Sequence, residues 1–438
     1  MKSFPRPTFG QLTLSLVVDV LLLSLAGRAA AARMAFPACS SWPFCMPASE
    51  GGWFKLAHVG LAGLAGLLVL RLLSFAWKAH RSDATLLPLT SVTAVLFAGQ
   101  AFIGAVLVAQ QLRLDLVVLH AATTISLWIA LLALAALSNL RPSQAMENVE
   151  GPGSRRWRDF LTLGKPWIVG LLLVTTFGGM VAGGRAMPPL GLAAWTLLGG
   201  ALAAAGSSAL NQYIDRELDK NMQRTARRPL PAGRLTPAEG LSFGLALCLV
   251  SYYLLAGLVN FTAALLSLAG ILYYVVFYSI LLKRATVQNI VVGGGAGAIP
   301  PMVGWAAAAG QLSLPAWILF LIIFMWTPPH FWALAIVRMK DYEKAGIPML
   351  PVVKGERFAR RQILVYTVLL VATSLLLPAI GAAGAVYATA ALVLGALLLA
   401  AAWRVWRVPG NKVAWSMYRW SSIYLMFIFA ALVTDSLL

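Results

Sequence analysis

The chain has 438 residues, of which 60% are hydrophobic and 11% charged, and its formal net charge is +19. A mean hydropathy of +0.80 excludes a soluble protein of this length and indicates a polytopic membrane protein. Strand-like alternation is absent and Leu, Ala and Gly dominate, so the fold class is an all-α membrane bundle rather than an outer-membrane barrel.

A bilayer needs roughly 17 to 25 apolar residues per helix. Such runs occur near 11–32, 53–77, 85–109, 116–138, 166–184, 190–211, 239–258, 262–282, 287–308, 314–337, 362–380, 383–403 and 415–437, predicting thirteen spans. Ala30, Ala31 and Ala32 resemble a signal cleavage site, but the length of the first run argues for a retained span. The basic loops are 78–81, 141–165, 216–234, 283–284, 338–361 and 404–412, and each follows an even number of spans. Topology therefore accounts for the positive charge without a nucleic-acid partner. It places the N-terminus in the cytoplasm and the C-terminus outside.

Residues 138–160 are polar and hold Pro142, Gly151, Pro152 and Gly153. They read as a linker. The expected division is a four-helix part at 1–140, a cytoplasmic linker at 141–160 and a nine-helix part at 161–438.

The run from Asn211 to Gly233 gathers three carboxylates and five cations in an otherwise charge-poor chain. Asn211, Asp215 and Asp219 recur every four residues, so on a helix they drift by about 40° per step and line one face with oxygens. Magnesium prefers carboxylates together with phosphate oxygens and water. Arg224, Arg227, Arg228 and Arg234 follow with donors suited to phosphate. A polyisoprenyl diphosphate fits this setting, with its tail among the helices and its headgroup at the basic rim.

Residues from about 160 to 437 resemble the protohaem IX farnesyltransferases, the haem O synthases of the UbiA-type membrane prenyltransferase superfamily. The matching motifs are LGKPWIV at 163–169, NxxxDxxxDxxMxRTxxRPL at 211–230, YSILLKRATVQN at 278–289, GGGAGAIPPMVGW at 293–305, TPPHFWALAI at 327–336 and KDYEKAGIPMLPVVKG at 340–355. The resemblance implies transfer of farnesyl from farnesyl diphosphate to a vinyl group of haem b, giving haem O and diphosphate on the cytoplasmic side of a prokaryotic-type cell membrane. It implies Mg²⁺ held by Asn211, Asp215, Asp219 and Asp341, and diphosphate held by Arg224, Arg228, Lys283, Arg284 and Lys340, with Asp215, Asp219, Asp341 and Lys283 catalytic. Position 345 is Ala where the superfamily often has a second acidic residue, which leaves Asp341 and the offset Glu343. The glycine-rich stretch at 293–301 reads as close helix packing and a break. His330 is open to two readings, a haem contact or a hydrogen bond to another helix.

Residues 1 to about 138 resemble the N-terminal half of haem A synthase, through CSSWPFC at 39–45, His58, and the stretch ending near His120. That family uses paired helix histidines as haem ligands. Here His58 and His120 are either axial ligands or buried donors to backbone carbonyls. Cys39 and Cys45 fall in a loop expected outside, where a disulfide persists, whereas Cys248 lies within a span and reads as an apolar residue. Lys55 stands where that family has an acidic residue, Val59 replaces an Arg, and a second four-helix half is absent. The fragment is thus expected to bind or pass haem, with haem A synthase or a second copy of the chain as its partner.

The leading function is an enzyme that farnesylates haem b. The alternatives are a prenyltransferase acting on a quinone precursor and a non-catalytic haem-binding assembly factor.

Overall fold

The computed structural model describes residues 7–33, 50–110, 113–140 and 156–438. Among them no strand occurs, and thirteen helices are long and apolar enough to cross a membrane, as the hydropathy pattern leads one to expect. Cys39 and Cys45 lie outside the described residues.

The chain forms two compact units. The first runs to Pro152 and also takes in Thr236–Tyr253; the second comprises Gly153–Leu235 and Leu254–Leu438. In the first unit, α1 (Phe9–Ala32), α2 (Glu50–Ala79), α3 (Leu86–Ala109) and α4 (Leu114–Leu140) pack together. Thr8 and Gln11 form a reciprocal capping box that starts α1. Asp83 does similar work before α3, accepting from the backbone N–H groups of Thr85 and Leu86 at 2.8 Å each.

In the second unit, α5 (Arg156–Leu163) begins inside the segment read as a linker and leads into α6 (Pro166–Gly184). Next comes α7 (Leu190–Asp219), which extends eight residues beyond the apolar run ending at 211. Hydropathy alone stops where the carboxylates start, but their bonds to neighbouring elements let the helix continue. Helix α8 (Pro237–Leu258) belongs to the first unit through Tyr253 and to the second from Leu254. Helix α9 (Phe261–Leu272) continues as a π-helix over Tyr273–Leu282. The glycine-rich stretch breaks at Gly294, between α10 (Asn289–Gly293) and α11 (Gly295–Ala309), as its composition leads one to expect.

Small residues set the closest helix pair of this unit. A Cβ on Gly179 of α6 would overlap the Pro301 carbonyl oxygen of α11, and one on Gly304 would overlap the Thr176 carbonyl oxygen. Bare backbone at both points lets the helices touch, the usual route to tight packing where lipid supplies no hydrophobic drive. Helix α12 (Leu314–Val337) runs through the core, followed by α13 (Met339–Lys344) and α14 (Leu350–Lys354). It packs against α15 (Glu356–Ala379) and α17 (Asn411–Leu437), with α16 (Ala385–Arg407) beside them. Both ends of α16 are capped from other helices. Arg360 donates to the Val405 and Trp406 carbonyls at 2.6 and 2.5 Å, and Asp435 accepts from the backbone N–H groups of Gly384 and Tyr387.

Candidate active site

The last two turns of α7 bury Asn211, Asp215 and Asp219 on one face, each at most 4% exposed. Asn211 Nδ2 donates to Asp215 Oδ2 at 2.8 Å and to Ser279 Oγ at 3.1 Å. The same Asp215 oxygen accepts a short bond from Lys283 Nζ. Its other oxygen, Oδ1, is buried without a hydrogen-bond partner. Asp219 Oδ2 accepts from Arg228 Nη1 at 2.7 Å, while the Asp219 carbonyl accepts from Thr225 and closes the helix.

The π-helix brings Ser279 and Lys283 to this face. Ser279 Oγ donates to the Tyr274 carbonyl and the Lys283 N–H donates to the Tyr278 carbonyl, each five residues back, so the widened turn sets the register from which both side chains reach α7. Tyr274 and Tyr278 stack at 5.5 Å beside it, and Tyr278 fills the space left by Gly293.

Lys165, directly before Pro166, completes the cluster. Its Nζ is 3.5 Å from Asn211 Oδ1, and its backbone is left-handed at φ 48°. A non-glycine residue held there is strained, which is common at functional sites. Burial, reinforced by Arg228 and Lys283, pushes the Lys165 ammonium down to about 7, with Asp219 pulling the other way. A cation so crowded by cations gains most from an arriving anion.

Other expected residues are spread differently. Arg234 pairs with Asp159 of α5 at 2.8 Å and donates to the Arg227 carbonyl, so its guanidinium is committed within the fold. Asp341 lies 3.9 Å from Arg338, and Tyr342, its phenol raised by burial, sits in the field of Arg224, Asp341 and Arg338. Among the described residues no three His, Cys, Asp or Glu side chains gather as a metal cage, and neither Arg284 nor Lys340 makes an ion pair. His330 stacks between Trp326 and Tyr418 at 4.2 and 4.4 Å and bonds Ser421 Oγ of α17 at 2.8 Å. Cys248 is buried, as a residue within a span should be.

In the first unit, His58 Nδ1 bonds the Leu23 carbonyl at 3.0 Å, and the ring fills the space left by Gly27. A carbonyl only accepts, so Nδ1 is the donor of this bond. His120 Nε2 is 2.9 Å from Gln100 Nε2, and its Nδ1 is buried without a partner. The two imidazoles lie within electrostatic reach of each other.

Sequence reasoning did not single out Lys165, Ser279, Tyr274 or Tyr278. The available signal was a cation at the mouth of a span for Lys165, and the tyrosine–serine pair just before Lys283.

Residues 172–428 match the UbiA prenyltransferase family, and residues 47–227 match a family described as cytochrome oxidase assembly protein. A curated "Protoheme IX farnesyltransferase" of Roseiflexus sp. (strain RS-1) is 40% identical over 417 residues, covering 91% of this chain and 78% of that protein. One from Symbiobacterium thermophilum is 48% identical over 280 residues, 64% of this chain and 94% of its own length. In fold, a digeranylgeranylglyceryl phosphate synthase structure matches with a TM-score of 0.55 at 18% identity, covering 65% of this chain and 99% of that one. With its two carboxylates ringed by cations on the last turns of a membrane helix, the chain belongs to the UbiA prenyltransferase family, among the protohaem IX farnesyltransferases.

Proposed function

We infer that the protein transfers the farnesyl group of farnesyl diphosphate to the terminal vinyl carbon of haem b, with water adding its hydroxyl to the other vinyl carbon, giving haem O and diphosphate on the way to the haem A of cytochrome oxidase. The observation that carries this reading beyond the family is the buried, unpartnered Oδ1 of Asp215 amid Lys165, Arg228 and Lys283. An anionic oxygen left bare in a buried site wants a cation, and the surrounding ammonium and guanidinium groups want an anion. A metal diphosphate supplies both.

Mg²⁺ fits this donor set. Asp215 and Asp219 would hold it, and when bound it would neutralise charge on the departing diphosphate. Asp341, which like Arg224 acts on Tyr342, would contribute from α13; Asn211 donates to Asp215 through its amide. Lys165, Arg224, Arg228 and Lys283 place positive charge where the leaving oxygens develop negative charge, which eases cleavage of the allylic carbon–oxygen bond. Arg284 and Lys340 add to the same basic rim. Apolar walls, including the stacked Tyr274 and Tyr278, keep water from the allylic cation until the vinyl carbon has reacted.

We assign residues 161–438 to prenyl transfer and 1–140 to haem handling, with the N-terminus and the active site on the cytoplasmic side, as the basic loops support. In the haem-handling part, the Leu23 carbonyl that holds His58 Nδ1 would orient the ring for ligation through Nε2, whereas His120 would first have to give up its bond to Gln100. Haem A synthase or a second copy of the chain would complete that half-bundle. Purified protein given haem b, farnesyl diphosphate and Mg²⁺ should yield haem O by mass spectrometry. Transfer to a quinone precursor but not to haem b would refute the assignment.

A further inference from the structure

We propose that Asp19, inside α1, is a redox-linked proton site for haem held in the first unit: it binds a proton when the iron is reduced and releases it when the iron is oxidised. The proposal rests on the reading of His58 and His120 as the iron ligands. Asp19 is 5% exposed, and neither of its carboxylate oxygens has a hydrogen-bond partner. A bare carboxylate inside a membrane helix is costly, and such groups mark places where a charge or a proton comes and goes.

Its place on the helix says which charge. Asp19, Leu23 and Gly27 recur every four residues and so share one stripe of α1. That stripe meets His58, whose Nδ1 donates to the Leu23 carbonyl at 3.0 Å and whose ring fills the space left by Gly27. Asp19 stands one helical turn, about 5.4 Å, before Leu23. Helices α2 and α4 pack against α1. On α2, Glu50, Arg71 and Lys78 are exposed. Phe9 packs on Phe75 while Gly27 meets His58, so the two helices run antiparallel and Lys55 lies beyond the histidine from Asp19. On α4, Asp115 pairs with Arg113 at 2.6 Å, which leaves His120, and α3 carries no titratable side chain.

Two imidazoles are neutral ligands, so a ferric porphyrin core between them carries one net positive charge and a ferrous core none. The positive charge favours the ionised carboxylate, and its loss favours the acid. Asp19 therefore takes one proton from water as one electron arrives from an external one-electron donor, and reoxidation returns both. Charge in the buried interior stays balanced through the cycle.

Redox titration of the haem bound to the full-length protein, repeated across the neutral pH range, tests this. Because reduction binds a proton, the midpoint potential should fall as pH rises, with uptake approaching about one proton per electron. Asp19→Asn cannot ionise, so its potential should exceed the wild-type value on the alkaline side, and it should lose at least about half of that uptake. Asp19→Glu keeps a titrating group and should keep the slope. Proton uptake by the wild-type protein on reduction, followed with a pH indicator, covers the case in which neither variant folds. A merely structural Asp19 would change melting or haem content and leave the slope alone. An equal slope in Asp19→Asn, or no proton uptake by the wild-type protein, overturns the proposal. If His58→Ala and His120→Ala leave the haem spectrum untouched, the ligation reading fails, and the proposal fails with it.

Discussion

Asp215 divides its work between two oxygens, one bonded to Asn211 and Lys283 and the other bonded to nothing. Asp215→Asn keeps the shape but removes the charge that a divalent ion needs, so haem O formation should fall below detection by mass spectrometry, with the melting temperature little changed. Chelating the divalent ions should abolish turnover, and Mg²⁺ should restore it. Lys165→Met should raise KM for farnesyl diphosphate about tenfold, the scale of one lost charge-assisted contact. The acidic face was legible in the sequence because four-residue spacing is local geometry. Lys165 and Ser279 lie inside motifs that were read, LGKPWIV and YSILLKRATVQN, but their contact with Asn211 was not legible, because it spans 46 and 68 residues of sequence.

Helices were read from hydropathy with little error because a bilayer imposes one length on every span. Their ends and breaks were less visible. The extension of α7 to Asp219 depends on partners from other elements, and the π-helix at Tyr273–Leu282 lies inside a uniformly apolar run that reads as ordinary helix. Close packing at the glycine-rich stretch was readable as composition, but not its partner on α6. Gly304→Ala forces a methyl group against the Thr176 carbonyl and should cost about 3 kcal/mol, the upper end for overpacking. Thermal unfolding in detergent would show it, and an unchanged midpoint would mean that α6 and α11 separate more easily than their contact suggests.

At the scale of the whole molecule, the proposed prenyl transfer and the proposed haem ligation make separable demands. On this proposal prenyl transfer would need the charged face of α7 and no oxidant, whereas haem ligation in the first unit would need His58, whose Nδ1 donates to the Leu23 carbonyl. His58→Ala should therefore change the reduced-minus-oxidised haem spectrum of the purified protein yet leave most haem O formation intact. Asp219→Ala should do the reverse, because Asp219 bonds Arg228 and lies far along the sequence from either histidine. Lys55 is buried on α2, three residues before His58, where the resembling family carries an acid. With no acid there to accept protons, oxidation of the haem methyl group should not proceed, so the product should be haem O without haem A. Chromatography of haem extracted from membranes containing only this chain would detect haem A, and its presence would mean that Lys55 serves in place of the acid.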